Sequence, residues 1–493
     1  MNPGIFTNKA RIYEPRSVSL WLGVLLGSVF FGLLATTANP LMIGLVVSLV
    51  GGAFLLAKPQ IAVWVILILG LAMGAFISLA GPTFFKLYWA ISMLAFLLMV
   101  PAFLYLPRQK NLPVFFWLAL AFMLVSVGSS LVQGYSAAEF FAGFKRYFQA
   151  YGLLMALAVL PFTLTDFTRW RMLLLVVGLL QVPFALFEFF VLIPMRGGLS
   201  GGASSTDVVA GTFGANLEGG SANAEMAAFL LIVIAFLFSR WKQKLLSTRV
   251  LILLGLPCFA TLFLGEVKIV LVMLPIIMLI IVREDVVRRP AFFLTAVVVT
   301  GIGTFFIGYV YANFYLQGPL WKIFSKTLAY NFYNIGYGTN FLNRTTVLSF
   351  WWVQQGFHDP VGFFFGHGLG SSFSSPQTVV PGHIAAKWAH YGIGLTTASS
   401  LLWDTGVVGF LLFLCMLLWA WHACNILRRE ATEPWVRSDA MAIQSAIAMF
   451  LIYLIYSKTL VTFLPFEIIM AVILGYLAYL HNKHRTRVFH AKA

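Results

Sequence analysis

The sequence predicts an all-α polytopic integral membrane protein of about 14 transmembrane helices, with one long extracytoplasmic loop carrying short helices. Three observations predict it. Of 493 residues, 60% are hydrophobic and only 10% charged, and the mean hydropathy of +0.91 exceeds what a soluble core needs. Apolar runs long enough to cross about 30 Å of hydrocarbon recur from Ser17 to Leu480. The cations gather in alternate turns, as the positive-inside rule requires.

Residues 1–16 form a cytoplasmic N-terminal segment carrying Lys9, Arg11 and Arg16. The apolar run that follows is too long for a signal-peptide core and lacks a small-x-small cleavage site, so it is expected to stay as the first helix. Spans are expected at 17–38, 40–57, 60–80, 84–106, 112–133, 142–163, 170–193, 222–239, 248–265, 266–282 and 291–313, with an outer glycine-rich loop at 194–221. A long periplasmic loop occupies 314–400, and three more spans follow at 401–424, 438–457 and 462–480 before a basic cytoplasmic tail at 481–493. With the N-terminus inside, the inner turns hold Lys58, Arg108, Lys110, Arg169, Arg171, Arg240, Lys242, Lys244, Arg249, Arg283, Arg288, Arg289, Arg428, Arg429 and Arg437. Most of the net charge of +16 is thereby a topology signal rather than a nucleic-acid footprint. Cys258, Cys415 and Cys424 all lie in apolar runs, which indicates neither a disulfide framework nor a Cys-based metal site.

Ten cations remain on the outer side: Lys86, Lys145, Arg146, Arg196, Lys268, Lys322, Lys326, Arg344, Lys387 and Lys458. A cation deep in a bilayer costs roughly 2.5–3.5 kcal/mol on insertion scales, so a group of them implies compensating anions. Lys86 and Lys458 are read as snorkelling to the interface, where Glu139, Glu188, Glu225, Glu266 and Asp404 are available partners. Arg146, Arg196, Lys268 and Arg344 are read as an anion site, because a guanidinium fork suits phosphate and these residues have no partner at helical spacing.

Two outer segments carry candidate chemistry. Between Arg196 and Glu225, glycines surround Thr212, Phe213, Asn216 and Glu218, leaving backbone amides to approach a ligand. The second segment is rich in aromatics, among them Trp351 and Trp352, which suit either an interfacial belt or a path for sugar rings. It also carries His358, His367, His383 and His390. Their spacing is not that of a metal site, so a general base is the chemistry open to them, and no cofactor motif is present.

Three stretches resemble the bacterial O-antigen polymerase and O-antigen ligase superfamily. Gly211-Thr212-Phe213-Gly214 with Asn216 is similar to the family's glycine–Asn entry to a helix. Arg344 with Trp351 or Trp352, then Pro360 and Gly366-His367-Gly368-Leu369-Gly370, looks like its Arg–Trp–Pro–Gly-rich loop. Leu401 to Gly409 resembles the Gly-x-x-Gly start of the following helix. The family's late-loop histidine falls nearest His390, here followed by Tyr391, and Glu266-Val267-Lys268 stands where the family has Ser-Arg.

The resemblance implies a GT-C-like fold in a bacterial inner membrane, both termini cytoplasmic and the active site facing the periplasm. It implies a metal-independent inverting glycosyltransferase acting on an undecaprenyl-pyrophosphate-linked oligosaccharide, with membrane lipid and a chain-length regulator protein as further partners and no nucleic acid. Arg344, Arg146, Arg196 and Lys268 would hold the pyrophosphate, with Asn216, Trp351, His367 and His383 completing the substrate site. His390, Glu218 or Glu225 would take the acceptor proton. Polymerase is favoured over ligase because many spans and an elaborated loop suit a site for two lipid-linked glycans. A flippase for such glycans is the competing class, but no internal repeat is visible. Shape-and-division-type peptidoglycan glycosyltransferases have fewer spans.

Overall fold

The computed structural model describes residues 51–52, 54–81, 85–109, 111–134, 136–195, 197, 208–216, 222–265, 267–291, 340–374 and 381–492, with scattered positions between 293 and 336. The chain divides into two compact units, Met1–Lys58 and Pro59–Ala493. Of the first, the described residues 51–52 and 54–57 are helical. The expected spans at 17–38 and most of 40–57 and 291–313 lie outside the described residues.

Among the described residues the second unit is all-helical, without strands. Its helices before the long loop are α1 (Pro59–Ala80), α2 (Phe85–Leu97), α3 (Met99–Tyr105), α4 (Val114–Gln133), α5 (Ala137–Phe148), α6 (Tyr151–Val159), α7 (Leu164–Phe187), α8 (Asn223–Lys242), α9 (Thr248–Leu264) and α10 (Val270–Arg288). The loop helices are α11 (Thr346–Gln355), α12 (Pro360–Phe365) and α13 (His383–Lys387), and the C-terminal ones α14 (Thr397–Glu430), α15 (Pro434–Tyr456) and α16 (Leu464–Lys492). Among the described residues eight helices are long and apolar enough to cross a bilayer, which marks the chain as a multi-pass membrane protein. They correspond to the spans expected at 60–80, 84–106, 112–133, 170–193, 222–239, 401–424, 438–457 and 462–480.

Local chemistry sets the boundaries. A capping box of Thr163 and Asp166 starts α7, and one of Thr396 and Ser399 starts α14. Gly134, with φ 63°, closes α4 in the left-handed conformation. The expected span at 142–163 is broken instead into α5 and α6 at Gln149–Ala150. Gln149 donates to Glu467 at 2.6 Å and accepts from Ser92 at 3.0 Å, so tertiary bonds form where a continuous helix was expected.

Burial places α8, α15 and α16 at the centre: 78%, 83% and 94% of their apolar windows are inside the protein, against 39% for α4 and α7. Asp439 ties α7, α8, α15 and α16 together at one end, accepting from Arg171 at 2.6 Å, Arg240 at 3.0 Å and Tyr476 at 2.6 Å. Arg428 joins Glu284 at 2.9 Å and Gln444 at 2.8 Å, and Lys242 joins Asp285 at 2.7 Å. These cations are the ones expected at the inner face, and each has an acidic partner. The opposite end carries the long loop, the starts of α5, α8 and α16, and the end of α15.

Candidate anion-binding site

The segment Tyr456-Ser457-Lys458-Thr459 leaves the central helix α15 at the loop end and becomes the floor of a cationic cluster. Arg344, two residues before α11, donates Nε–H to the carbonyl of Tyr456 at 2.7 Å and lays its guanidinium 4.2 Å above the Tyr456 ring. Two residues on, Lys458 Nζ lies 5.2 Å above the ring of Phe373. The Arg146 guanidinium sits 3.1 Å from the centre of that same ring. Cation–π attraction holds each charge in place without neutralising it. Among the described residues neither Arg146 nor Lys458 has an ion pair, unlike the cations at the other end.

The carboxylate that acts on Arg146 is Asp404, and its oxygens are already committed. Asp404 accepts from Tyr147 Oη at 2.8 Å, Ser371 Oγ at 2.8 Å and the amides of Ser372 at 2.7 Å and Gly370 at 3.3 Å. Five backbone and side-chain bonds fasten the same glycine-rich turn further: His367 N to Trp403 O (2.8 Å), Gly368 N to Asp404 O (3.0 Å), Leu369 N to Ser130 Oγ (2.8 Å), Gln133 Nε2 to Gly366 O (2.7 Å), and Ser129 Oγ to Phe365 O. Gly406 makes this possible. It breaks α14 with φ 66° and ψ −169°, and a Cβ there would strike the Phe364 backbone. Asp404 is thus an anchor for the loop that carries Phe373, not an ion-pair partner for Arg146.

Lys458 is buried enough to feel its surroundings. Burial, and after it the charge of Arg146, pulls its ammonium below the ordinary lysine value. The sign is plain: anion binding needs the protonated form, so it is lost as pH rises through this lowered pKa. The affinity for inorganic pyrophosphate is expected to fall at a lower pH than a solvent lysine would give. Lys458→Arg is expected to push that alkaline limb outward, which a pH profile of pyrophosphate binding measures directly.

Glu225 starts α8 beneath the cluster, buried, and accepts from Thr459 Oγ1 at 2.7 Å and Ser457 Oγ at 3.5 Å. Arg344 acts on it electrostatically. His383 pairs with Glu139 on α5: Nδ1 lies 2.7 Å from Oε1, and the His383 amide donates to Oε2 at 3.2 Å. Gly382, one residue earlier, donates to the carbonyl of Phe373 at 2.9 Å, so this dyad borders the ring that carries Arg146 and Lys458. His367 contacts Gln355 Oε1 through Nε2 at 2.8 Å and stacks near Trp403. Burial lowers the His367 pKa, which Asp359 partly opposes and His383 and Lys387 reinforce, so its neutral form is favoured.

The remaining expected site residues are placed as follows. His390 is exposed, with φ 66°, and its carbonyl accepts from Phe341 N at 2.9 Å, which brings it near the segment leading to Arg344 through the backbone. Trp351 is buried in the loop core against Phe363 and Trp403, while Trp352 carries the exposed ring. Lys268 is exposed in the turn between α9 and α10, with no hydrogen bond or ion pair to the cluster among the described residues. Asn216 is exposed after the glycine turn. Arg196 and Glu218 lie outside the described residues.

The Gly211-Thr212-Phe213-Gly214 turn differs from its expected role. Its amides do not stand open to a ligand: Ala210 N and Gly211 N donate to Glu188 at 2.8 and 2.7 Å, and Thr212 N donates to Gln181 at 2.9 Å. Buried backbone donors take internal acceptors when these are close. Lys458 also departs from the snorkelling expected of it, since it joins Arg146 on Phe373 and pairs with no carboxylate among the described residues. Phe373 and Tyr456 are the site residues that the sequence did not single out, and Lys458 was read apart from the anion site. Lys458 was among the outer cations, and its nearness to Tyr456 was the available signal.

No protein-family model and no curated protein matches the chain.

Proposed function

We propose that this protein is an inverting glycosyltransferase that polymerises undecaprenyl-pyrophosphate-linked oligosaccharide repeat units into O-antigen or exopolysaccharide. The observation that carries this reading is the pair Arg146–Lys458 on Phe373, without an ion pair among the described residues, beside Arg344 on Tyr456. In this reading these cations neutralise the pyrophosphate as it leaves with negative charge, in place of a metal ion. Arginine supplies two parallel donors to phosphate oxygens and lysine a point charge. The family resemblance supplies the rest of the proposal: a GT-C-like fold of fourteen spans in a bacterial inner membrane, the site open to the periplasm, and a chain-length regulator as a further partner.

The acceptor hydroxyl must lose a proton as it attacks the anomeric carbon. Among the histidines, His383 is the one whose ring a carboxylate orients, Glu139 holding Nδ1; its Nε2 is buried, so in this reading it takes the proton only once the acceptor has displaced the groups that cover it. His383→Ala is expected to lose about 100-fold or more in kcat with KM little changed, and His390→Ala to stay near wild type. Kinetics of both variants in proteoliposomes check the assignment.

The function itself is tested by mass analysis of lipid-linked glycans in cells lacking the protein. Single repeat units accumulating on the outer leaflet support polymerisation. Long lipid-linked chains that never reach a final acceptor indicate a ligase instead, and units trapped on the cytoplasmic leaflet indicate a flippase.

A further inference from the structure

The loop helices α11 and α12 are two-faced. One face packs Trp351 and Phe363 against Trp403 of α14. The other leaves Trp352, Val353, Phe357, Val361, Phe364 and Phe365 exposed, with Val353 at 68% and Phe357 at 64% of full exposure. A contiguous aromatic and aliphatic face of this kind is not a stable water-facing surface.

Its depth says what covers it. The carbonyl of Phe365 accepts from Ser129 Oγ, and that of Gly366 accepts from Gln133 Nε2 at 2.7 Å. α4 has 20 residues, hence a length of about 30 Å, close to the hydrocarbon thickness it must cross. Ser129 lies four residues before the end of that helix, about 6 Å inside it at 1.5 Å per residue. Phe364 and Phe365 are therefore held level with the last turn of a membrane-spanning helix rather than above it. On α4 itself, Leu131 and Val132 are exposed at the same level, at 75% and 69%. The loop face continues a surface that already belongs to lipid. Gln354, His358 and Asp359 form its polar edge, the arrangement of a helix lying in an interface plane.

We infer that the α11–α12 face is embedded in the boundary of the bilayer leaflet at the loop end, so that the loop is a lipid-docked lid base and not a water-exposed domain. Embedding would fix the height of Arg344, two residues before α11, relative to the phosphates of that leaflet. The inference rests on the membrane-spanning character of the chain and is independent of the transferase reading.

Spin labels on the full chain test it. Cys258, Cys415 and Cys424 are replaced by serine, and Val353→Cys, Phe364→Cys, His358→Cys and the reference Leu131→Cys are labelled singly. The protein is reconstituted in vesicles of phosphatidylethanolamine and phosphatidylglycerol. Collision rates with oxygen and with a water-soluble nickel chelate are then measured. Labels at 353 and 364 are expected to match the label at 131, with oxygen collisions at least several-fold above nickel collisions, while the label at 358 favours nickel. Preferential nickel access at 353 and 364 would mean a water-facing loop and would overturn the inference. Protection from both reagents would mean that a second copy or another protein covers the face, and would overturn it equally.

Discussion

Replacing Arg146 by glutamine is expected to lower kcat/KM for a pyrophosphate-linked donor by about 100-fold or more, the loss typical of removing one preorganised charge-stabilising donor. The shorter amide loses both the charge and the guanidinium that lies on Phe373, so the loss includes that contact. Arg146→Lys is expected to recover only part of the loss, because an ammonium cannot replace a planar fork. Lys458→Gln is expected to act on the same donor, and the double variant to lose less than the two single effects combined. Both cations sit on the Phe373 ring, and the charge of Arg146 acts on Lys458. A control at the opposite end separates charge from chemistry. Arg171→Gln disturbs the Asp439 cluster, so it is expected to lower thermal stability while leaving donor affinity of the folded protein unchanged. Steady-state kinetics in proteoliposomes, with thermal unfolding alongside, distinguish the two.

Asp404→Ala is expected to release the glycine-rich turn, at a cost of about 3–5 kcal/mol, the range seen when one partner of a buried charged network is removed. Four donors converge on this carboxylate: Tyr147 Oη, Ser371 Oγ and the amides of Gly370 and Ser372. The Gly370 and Ser372 amides have no freedom to turn elsewhere, because Gly366 and Gly406 hold the turn hard against the break in α14. Asp404→Asn is expected to be almost as damaging, since its amide group presents donors to donors. Hydrogen exchange read over 366–372 measures the effect: fast exchange confined to that segment is the expected signature, with α15 and α16 still protected. Unchanged protection there would show that the loop is held by something other than Asp404.

What the sequence made legible follows from which forces act locally. Apolar length alone identified eight helices that the structure contains, because hydrocarbon thickness acts on each span separately. Alternation of charge sorted the cations correctly in one respect: Arg171, Arg240, Lys242 and Arg428, assigned to the inner face, all meet carboxylates at one end. The misreadings concern partners distant in the chain. Lys458 was judged by its neighbours in sequence, whereas its surroundings are set by Phe373 and Arg146 from two other segments. The Gly211 turn was read by its flexibility, but its amides are consumed by Glu188 and Gln181, more than 20 residues earlier. The break between α5 and α6 carries neither proline nor glycine at Gln149–Ala150, and only the contacts of Gln149 with Ser92 and Glu467 reveal it. Trp351 and Trp352 could not be told apart by composition; adjacent positions on a helix point about 100° apart, and tertiary packing decides which one is buried.

The most direct test of the central claim, that the loop-end cations converge on a pyrophosphate, is the affinity of the purified full chain in nanodiscs for undecaprenyl pyrophosphate compared with undecaprenyl monophosphate. The pyrophosphate is expected to bind at least about tenfold more tightly, equivalent to 1.4 kcal/mol, and Arg146→Gln with Lys458→Gln is expected to abolish that preference. Equal affinity for the two lipids in the wild-type protein, or a preference that survives in the double variant, would contradict the account.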